Sequence, residues 1–83
     1  MDKTMLITDT GAAICMSDIN AVFPHYIDGQ DTLKVVAVVN GIDIVVKMIP
    51  VSKDNGGIDV AKEAASKYMA KIISIAGFTI ETL

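Results

Sequence analysis

The chain has 83 residues, enough for one domain and too few for two, so the sequence predicts a single α+β domain over residues 1–83. Apolar residues make up 52% of the chain and aromatic residues only 5%, which excludes intrinsic disorder and predicts an aliphatic core. The net charge is −3 and arginine is absent, which argues against nucleic-acid binding because such surfaces are usually basic.

Cysteine content and hydropathy indicate the compartment. Cys15 is the only cysteine, so a disulfide within the chain is excluded and a structural zinc site lacks ligands. A lone cysteine is typical of a reducing compartment. No apolar run approaches the about 20 residues of a membrane span, and Met5–Ile7 is too short for a signal peptide. We therefore expect a cytoplasmic protein that needs no cofactor and does not bind membranes.

Turn signals divide the first part of the chain into short extended segments. Met5–Thr8 and Ala12–Met16 flank Asp9-Thr10-Gly11 and are predicted to pair as a hairpin. A tight turn at Ser17-Asp18 leads into a predicted strand, Ile19–Ile27. This strand contains a proline, which lacks an amide donor, so the strand is expected at a sheet edge or at an irregularity.

The loop Asp28–Asp31 leaves the register of that strand open. A shift of one residue exchanges the two faces of a strand. Two alternatives therefore remain for the side chains that share a face with Leu33: Val22 and Tyr26 for a four-residue loop, or Phe23, His25 and Ile27 for a three-residue loop.

The clearest local signal is Asn40-Gly41, which favours a type I′ turn because both residues tolerate a positive φ. The turn predicts a hairpin of Leu33–Val39 with Ile42–Ile49. Its core face would carry four apolar pairs: Val39 with Ile42, Ala37 with Ile44, Val35 with Val46, and Leu33 with Met48. Its opposite face would pair Lys34 with Lys47, Val36 with Val45, and Val38 with Asp43.

That opposite face is the predicted interaction surface. Apolar side chains that face water in a group usually mark a contact with another molecule. The predicted interface consists of Val36, Val38, Val45, Lys34 and Lys47. The alternative is that another segment of the same chain, such as Phe78–Leu83, folds over it.

A helix is predicted from about Ile58 to Ala76, with Asp59 near its start and Gly77 after its end. Apolar residues at helical spacing form one stripe: Ala61, Ala64, Ala65, Tyr68, Met69, Ile72, Ile75 and Ala76. Phe78–Leu83 is expected as a last strand or a docked tail. The predicted fold class is α+β, with a small antiparallel sheet of four to five strands packed against one C-terminal amphipathic helix.

Candidate catalytic groups are sparse. His25 is the only histidine, and no nucleophile and base can be paired from the sequence, so an enzyme is not expected. Cys15 lies between apolar neighbours and is predicted to be buried. A pocket between sheet and helix is a second possibility, lined by His25, Tyr26 and Tyr68.

The order of these elements resembles that of short bacterial and phage proteins of unknown function. The matching segments are Asp18–Val22, Tyr26–Gly29, the Asn40-Gly41 hairpin and the helical Ala61–Ala64. The resemblance implies a curved sheet of few strands with one helix, and it transfers no catalytic residue.

Three functions are compatible with these features. The leading hypothesis is a non-enzymatic interaction module that binds protein and forms a homodimer. The alternatives are a regulatory domain that binds a small ligand, and a phage or accessory inhibitor that binds a host enzyme.

Overall fold

The computed structural model describes residues 4–52 and 56–77, and its α+β class confirms the sequence prediction. The described elements, in chain order, are β1 Met5–Ile7, β2 Ala13–Cys15, a 3₁₀ turn Met16–Asp18, β3 Ile19–His25, β4 Thr32–Val39, β5 Ile42–Pro50 and α1 Gly57–Ile75. Residues Phe78–Leu83 lie outside the described residues. Within the described ranges, no helix has the length and apolar character needed to cross a membrane.

The strands form two antiparallel sheets, β1-β2 and β3-β4-β5, so one sheet of four to five strands is not confirmed. A side chain takes the place of strand pairing where the two sheets meet. The Asp9 amide donates to the Val46 carbonyl at 3.3 Å, and the Met48 amide donates to Asp9 Oδ2 at 3.0 Å. The carboxylate thereby binds the exposed edge of β5 in place of a neighbouring strand.

Among the strands that the structure describes, β3 lies at an edge of its sheet, in agreement with the position predicted for Pro24. His25 pairs with Lys34, and Val22 pairs with Ala37. This register corresponds to the four-residue loop, the first of the two alternatives left open by the sequence. An irregularity between Ile19 and Ala21 adds one residue near the start of the strand.

The β4–β5 hairpin follows the prediction only near its turn. Asn40 and Gly41 both have positive φ, 52° and 82°, as a type I′ turn requires. The pairs are as predicted from Val39 with Ile42 to Val36 with Val45.

Beyond this point a β-bulge at Val46 shifts the register by one residue. Three predicted pairs are therefore wrong, because Val35 pairs with Lys47, Lys34 with Met48, and Leu33 with Ile49.

The helix covers one face of the three-stranded sheet, here called the inner face. Leu33, Val35, Ala37 and Val46 are buried there, in one cluster with Ala61, Ala65 and Ile72 of α1. Two members of the predicted stripe, Ala64 and Ile75, are exposed instead. At roughly 100° per residue they lie about 60–80° from the centre of the arc formed by Ala61, Ala65 and Ile72, towards the solvent-facing side of the helix.

Candidate functional site

The face of the three-stranded sheet opposite the helix, here called the outer face, is the candidate site. Its side chains form three rows that run across β3, β4 and β5. The rows are Ala21–Val38–Asp43, Phe23–Val36–Val45 and His25–Lys34–Met48. The first row lies nearest the Asn40-Gly41 turn and the third row lies farthest from it.

The middle row is entirely apolar. Val36 is only 6% exposed, yet the core cluster of the described residues takes its sheet members from the inner face alone. Val36 lies between Phe23 and Val45, and both of these are half-buried, as is Val38. The three valines therefore lie together on the outer face, but the central one, Val36, is far less accessible than expected for a residue on a solvent-facing patch.

Lys47 does not belong to the outer face, which corrects the predicted interface. The bulge at Val46 pairs Lys47 with Val35 of the inner face and brings Met48 to the outer face instead. Lys47 Nζ lies 3.6 Å from Asp9 Oδ1 and 5.8 Å from the centroid of the Tyr68 ring. The predicted Lys34–Lys47 pair is thereby replaced by Lys34 with Met48, and Met48 is 43% exposed.

The contacts of Lys47 join three elements of the molecule. Asp9 comes from the turn of the first hairpin, Lys47 from β5 and Tyr68 from α1. Burial raises the pKa of the Tyr68 phenol, and the nearby negative charge of Asp9 raises it further. A cation between a carboxylate and an aromatic ring is typical of a structural contact, so this cluster fixes the first hairpin to the rest of the fold.

The pocket predicted from His25, Tyr26 and Tyr68 is not assembled as a unit. His25 is exposed on the outer face, whereas Tyr26 packs against the core cluster on the inner face. The Tyr26 hydroxyl donates to the Gln30 carbonyl at 2.9 Å. Tyr68 lies beside Lys47. Neighbouring residues of a strand face opposite ways, so His25 and Tyr26 cannot line one pocket.

Charge is distributed unevenly along the outer face. Asp43 lies in the first row, while Lys34 and His25 lie in the third. The rows are separated by four residues of β4, or about 13 Å at a rise of about 3.3 Å per residue. The face thus has an acidic end, an apolar middle and an end with basic side chains.

The remaining candidate groups do not form a second chemical site. Cys15, predicted to be buried, is half-buried, and its Sγ lies 3.1 Å from Ser17 Oγ. Across residues 4–52 and 56–77, no three histidine, cysteine or acidic side chains are grouped so that they could hold a metal ion.

No protein-family model, curated protein or solved structure matches the chain.

Two outer-face residues were missed by the sequence prediction. Phe23 was undetermined because the loop after β3 left the register open, although the four-residue alternative places it there. Met48 was assigned to the core because the bulge was not predicted.

Proposed function

We propose that this protein is a non-enzymatic interaction module that forms a homodimer through the outer face of its three-stranded sheet. The observation that supports the proposal is the self-complementary charge of that face. Asp43 lies at one end and Lys34 at the other, with the apolar row Phe23–Val36–Val45 between them. A second copy of the chain is a partner whose surface matches this pattern.

The matching arrangement is two sheets packed face to face with their strands antiparallel. A twofold axis that crosses the strands at the middle row places this row against its own copy. The same axis brings the acidic end of each copy over the basic end of the other. A twofold axis along the strands would instead oppose like charges, which is unfavourable. The charges therefore favour one of the two symmetric arrangements.

The size of the face determines how tight such a dimer is. Three strands about 4.8 Å apart and rows spanning about 13 Å make a small patch. Stable interfaces bury about 800 Å² on each partner, more than this patch provides. We therefore expect a reversible dimer whose population rises with protein concentration.

A charge swap tests the arrangement directly. Lys34→Glu and Asp43→Lys should each weaken the dimer by about tenfold, because each opposes like charges across the interface. The double variant Lys34→Glu/Asp43→Lys restores complementarity and should recover most of the affinity. Sedimentation equilibrium over a range of concentrations measures the dissociation constant of each form.

Lys71→Glu is the matched control, because Lys71 is an exposed lysine on the helix, away from the outer face. It should leave self-association nearly unchanged. A monomer at all concentrations would refute the homodimer. A double variant as weak as its single parents would refute the proposed twofold arrangement.

Action in the cytoplasm is part of the proposal and is supported by the lone cysteine, which is typical of reducing compartments. The scarcity of groups that could act as a nucleophile with its base supports a binding role over a catalytic one.

A further inference from the structure

A cleft of about 410 Å³ lies between the helix and the β3–β4 region. Its volume falls within the about 300–1,000 Å³ of small-molecule sites. The lining residues are Pro24, Tyr26, Asp28, Leu33, Lys62 and Ser66. Leu33 is 1% exposed and forms an apolar floor, while the charged residues belong to the rim.

The two charged residues of this cleft come from different elements. Lys62 lies on α1, one helical turn before Ser66, so both side chains project from the same side of the helix. Asp28 belongs to the loop after β3. Within the described residues neither Lys62 nor Asp28 forms an ion pair, whereas Lys67 on the same helix pairs with Glu63 at 3.5 Å. The cleft therefore presents a cation and an anion that do not neutralise each other.

We propose that this cleft binds a free α-amino acid with an apolar side chain. The carboxylate would accept hydrogen bonds from the Lys62 ammonium and the Ser66 hydroxyl. The ammonium group would donate to the Asp28 carboxylate, and the side chain would lie on Leu33. A ligand with both charges can pair with both residues, whereas an anion alone is repelled by the Asp28 carboxylate and a cation alone by the Lys62 ammonium.

The Tyr26 side chain gives the cleft a fixed wall. Its hydroxyl donates to the Gln30 carbonyl at 2.9 Å, which ties the end of β3 to the loop that carries Asp28. The Gln30 amide in turn donates to the Ile27 carbonyl at 3.0 Å. These two bonds hold the loop in a defined conformation, so that binding a small ligand requires little ordering of the loop.

The cleft is separate from the outer face, because Leu33 and Tyr26 belong to the inner side of the sheet. Binding of an amino acid is therefore independent of the proposed dimer. The outer-face variant Asp43→Lys should weaken the dimer about tenfold without altering the affinity for the amino acid, so failure of either proposal can be recognised separately.

The test is a titration of the ¹⁵N-labelled full chain with leucine, valine, methionine and phenylalanine, followed by amide chemical shifts. Leucinamide and N-acetylleucine, which each lack one charge, serve as comparison ligands. We expect at least one amino acid to shift the amides of the cleft residues, and the two analogues to bind about tenfold more weakly, the usual loss for one charged hydrogen bond.

Two variants test which residue binds the carboxylate of the amino acid and which binds its ammonium group. Lys62→Gln should weaken leucine binding and remove the preference for leucine over leucinamide. Asp28→Asn should also weaken leucine binding and should remove the preference for leucine over N-acetylleucine. The control variant Lys71→Gln should bind leucine like the unmodified chain. The proposal is overturned if none of the four amino acids shifts the cleft amides, if the analogues bind as well as leucine, or if both variants bind leucine like the unmodified chain.

Discussion

Both faces of the three-stranded sheet bury apolar side chains, yet helix α1 packs against the inner face alone. Leu33, Val35 and Ala37 of the inner face are nearly inaccessible because helix α1 packs against them. On the outer face, Val36 lies between Phe23 and Val45 in the middle row and is only 6% exposed. A low exposure alone therefore does not identify the core face. The core face is identified by its packing against the helix, and the outer face by the charged residues at its two ends.

The largest expected difference between the faces is in stability. Leu33→Ala should lower the free energy of unfolding by about 2–4 kcal/mol, because it leaves a cavity under the helix that the sheet cannot close. Val38→Ala on the outer face should cost less than about 1 kcal/mol, because the side chain is only half-buried. Urea unfolding followed by circular dichroism, at concentrations that favour the monomer, measures both values.

The same pair of variants should show the reverse order in self-association. Val38→Ala removes apolar surface from the proposed interface and should weaken the dimer, whereas Leu33→Ala should change it little as long as the chain stays folded. Equal losses of stability in the two variants would mean that the outer face is covered within the same chain.

A smaller effect is expected where the first hairpin meets β5. Asp9 accepts the Met48 amide at 3.0 Å and lies 3.6 Å from Lys47 Nζ. Asp9→Ala should cost about 1–2 kcal/mol of unfolding free energy, since it leaves the amide at the bulge without its protein acceptor. Thermal or urea unfolding of the purified variant measures the loss.

Asp9→Asn separates the hydrogen bond from the charge. Its amide oxygen can still accept from Met48, so it should recover most of the loss if the hydrogen bond dominates, and little if the ion pair does. Because Asp9 and Lys47 are partly exposed, solvent weakens the ion pair, and we expect the first result. Wild-type stability of Asp9→Ala would mean that this contact does not hold the hairpin.

Local signals predicted most of the fold, and the misplaced residues follow from a contact between distant segments. The Asn40-Gly41 turn determined its neighbouring pairs because turn geometry acts over a few residues. The bulge at Val46 lies beside Asp9, a residue far away in sequence that bonds the Val46 carbonyl and the Met48 amide, and no pattern within β5 predicts it. Because of the bulge, Lys47 and Met48 lie on the faces opposite to those predicted, so the predicted interface was wrong at Lys47. Its other members do lie on the outer face: Val36, Val38, Val45 and Lys34.

The cleft was the least predictable feature. The sequence predicts Tyr26 as a pocket residue, but its predicted companions point elsewhere, since His25 lies on the outer face and Tyr68 lies beside Lys47. Lys62 and Ser66 have helical spacing that any solvated helix face shares, and Asp28 lies in a loop whose length was undetermined. Their proximity follows only from how the helix crosses the sheet, which a sequence pattern does not specify.

The smallest expected effect concerns the ionisation of Tyr68. In a Tyr26→Phe background, where Tyr68 is the only phenol that absorbs, its pKa should lie above the usual value of about 10. Burial is the larger cause, so Asp9→Asn should lower this pKa without returning it to the usual value. Absorbance of the phenolate against pH measures both.

The sign of the linked stability follows from the raised pKa. The folded chain holds the Tyr68 proton more tightly than the unfolded chain, so the stabilisation is complete below the unfolded pKa of about 10 and is lost as the pH rises through the folded value. Tyr68→Phe should abolish this part of the pH dependence, which isolates it from other groups. If Asp9→Asn leaves the phenol titration unchanged, the charge of Asp9 does not contribute to the raised pKa of Tyr68, and burial alone accounts for it.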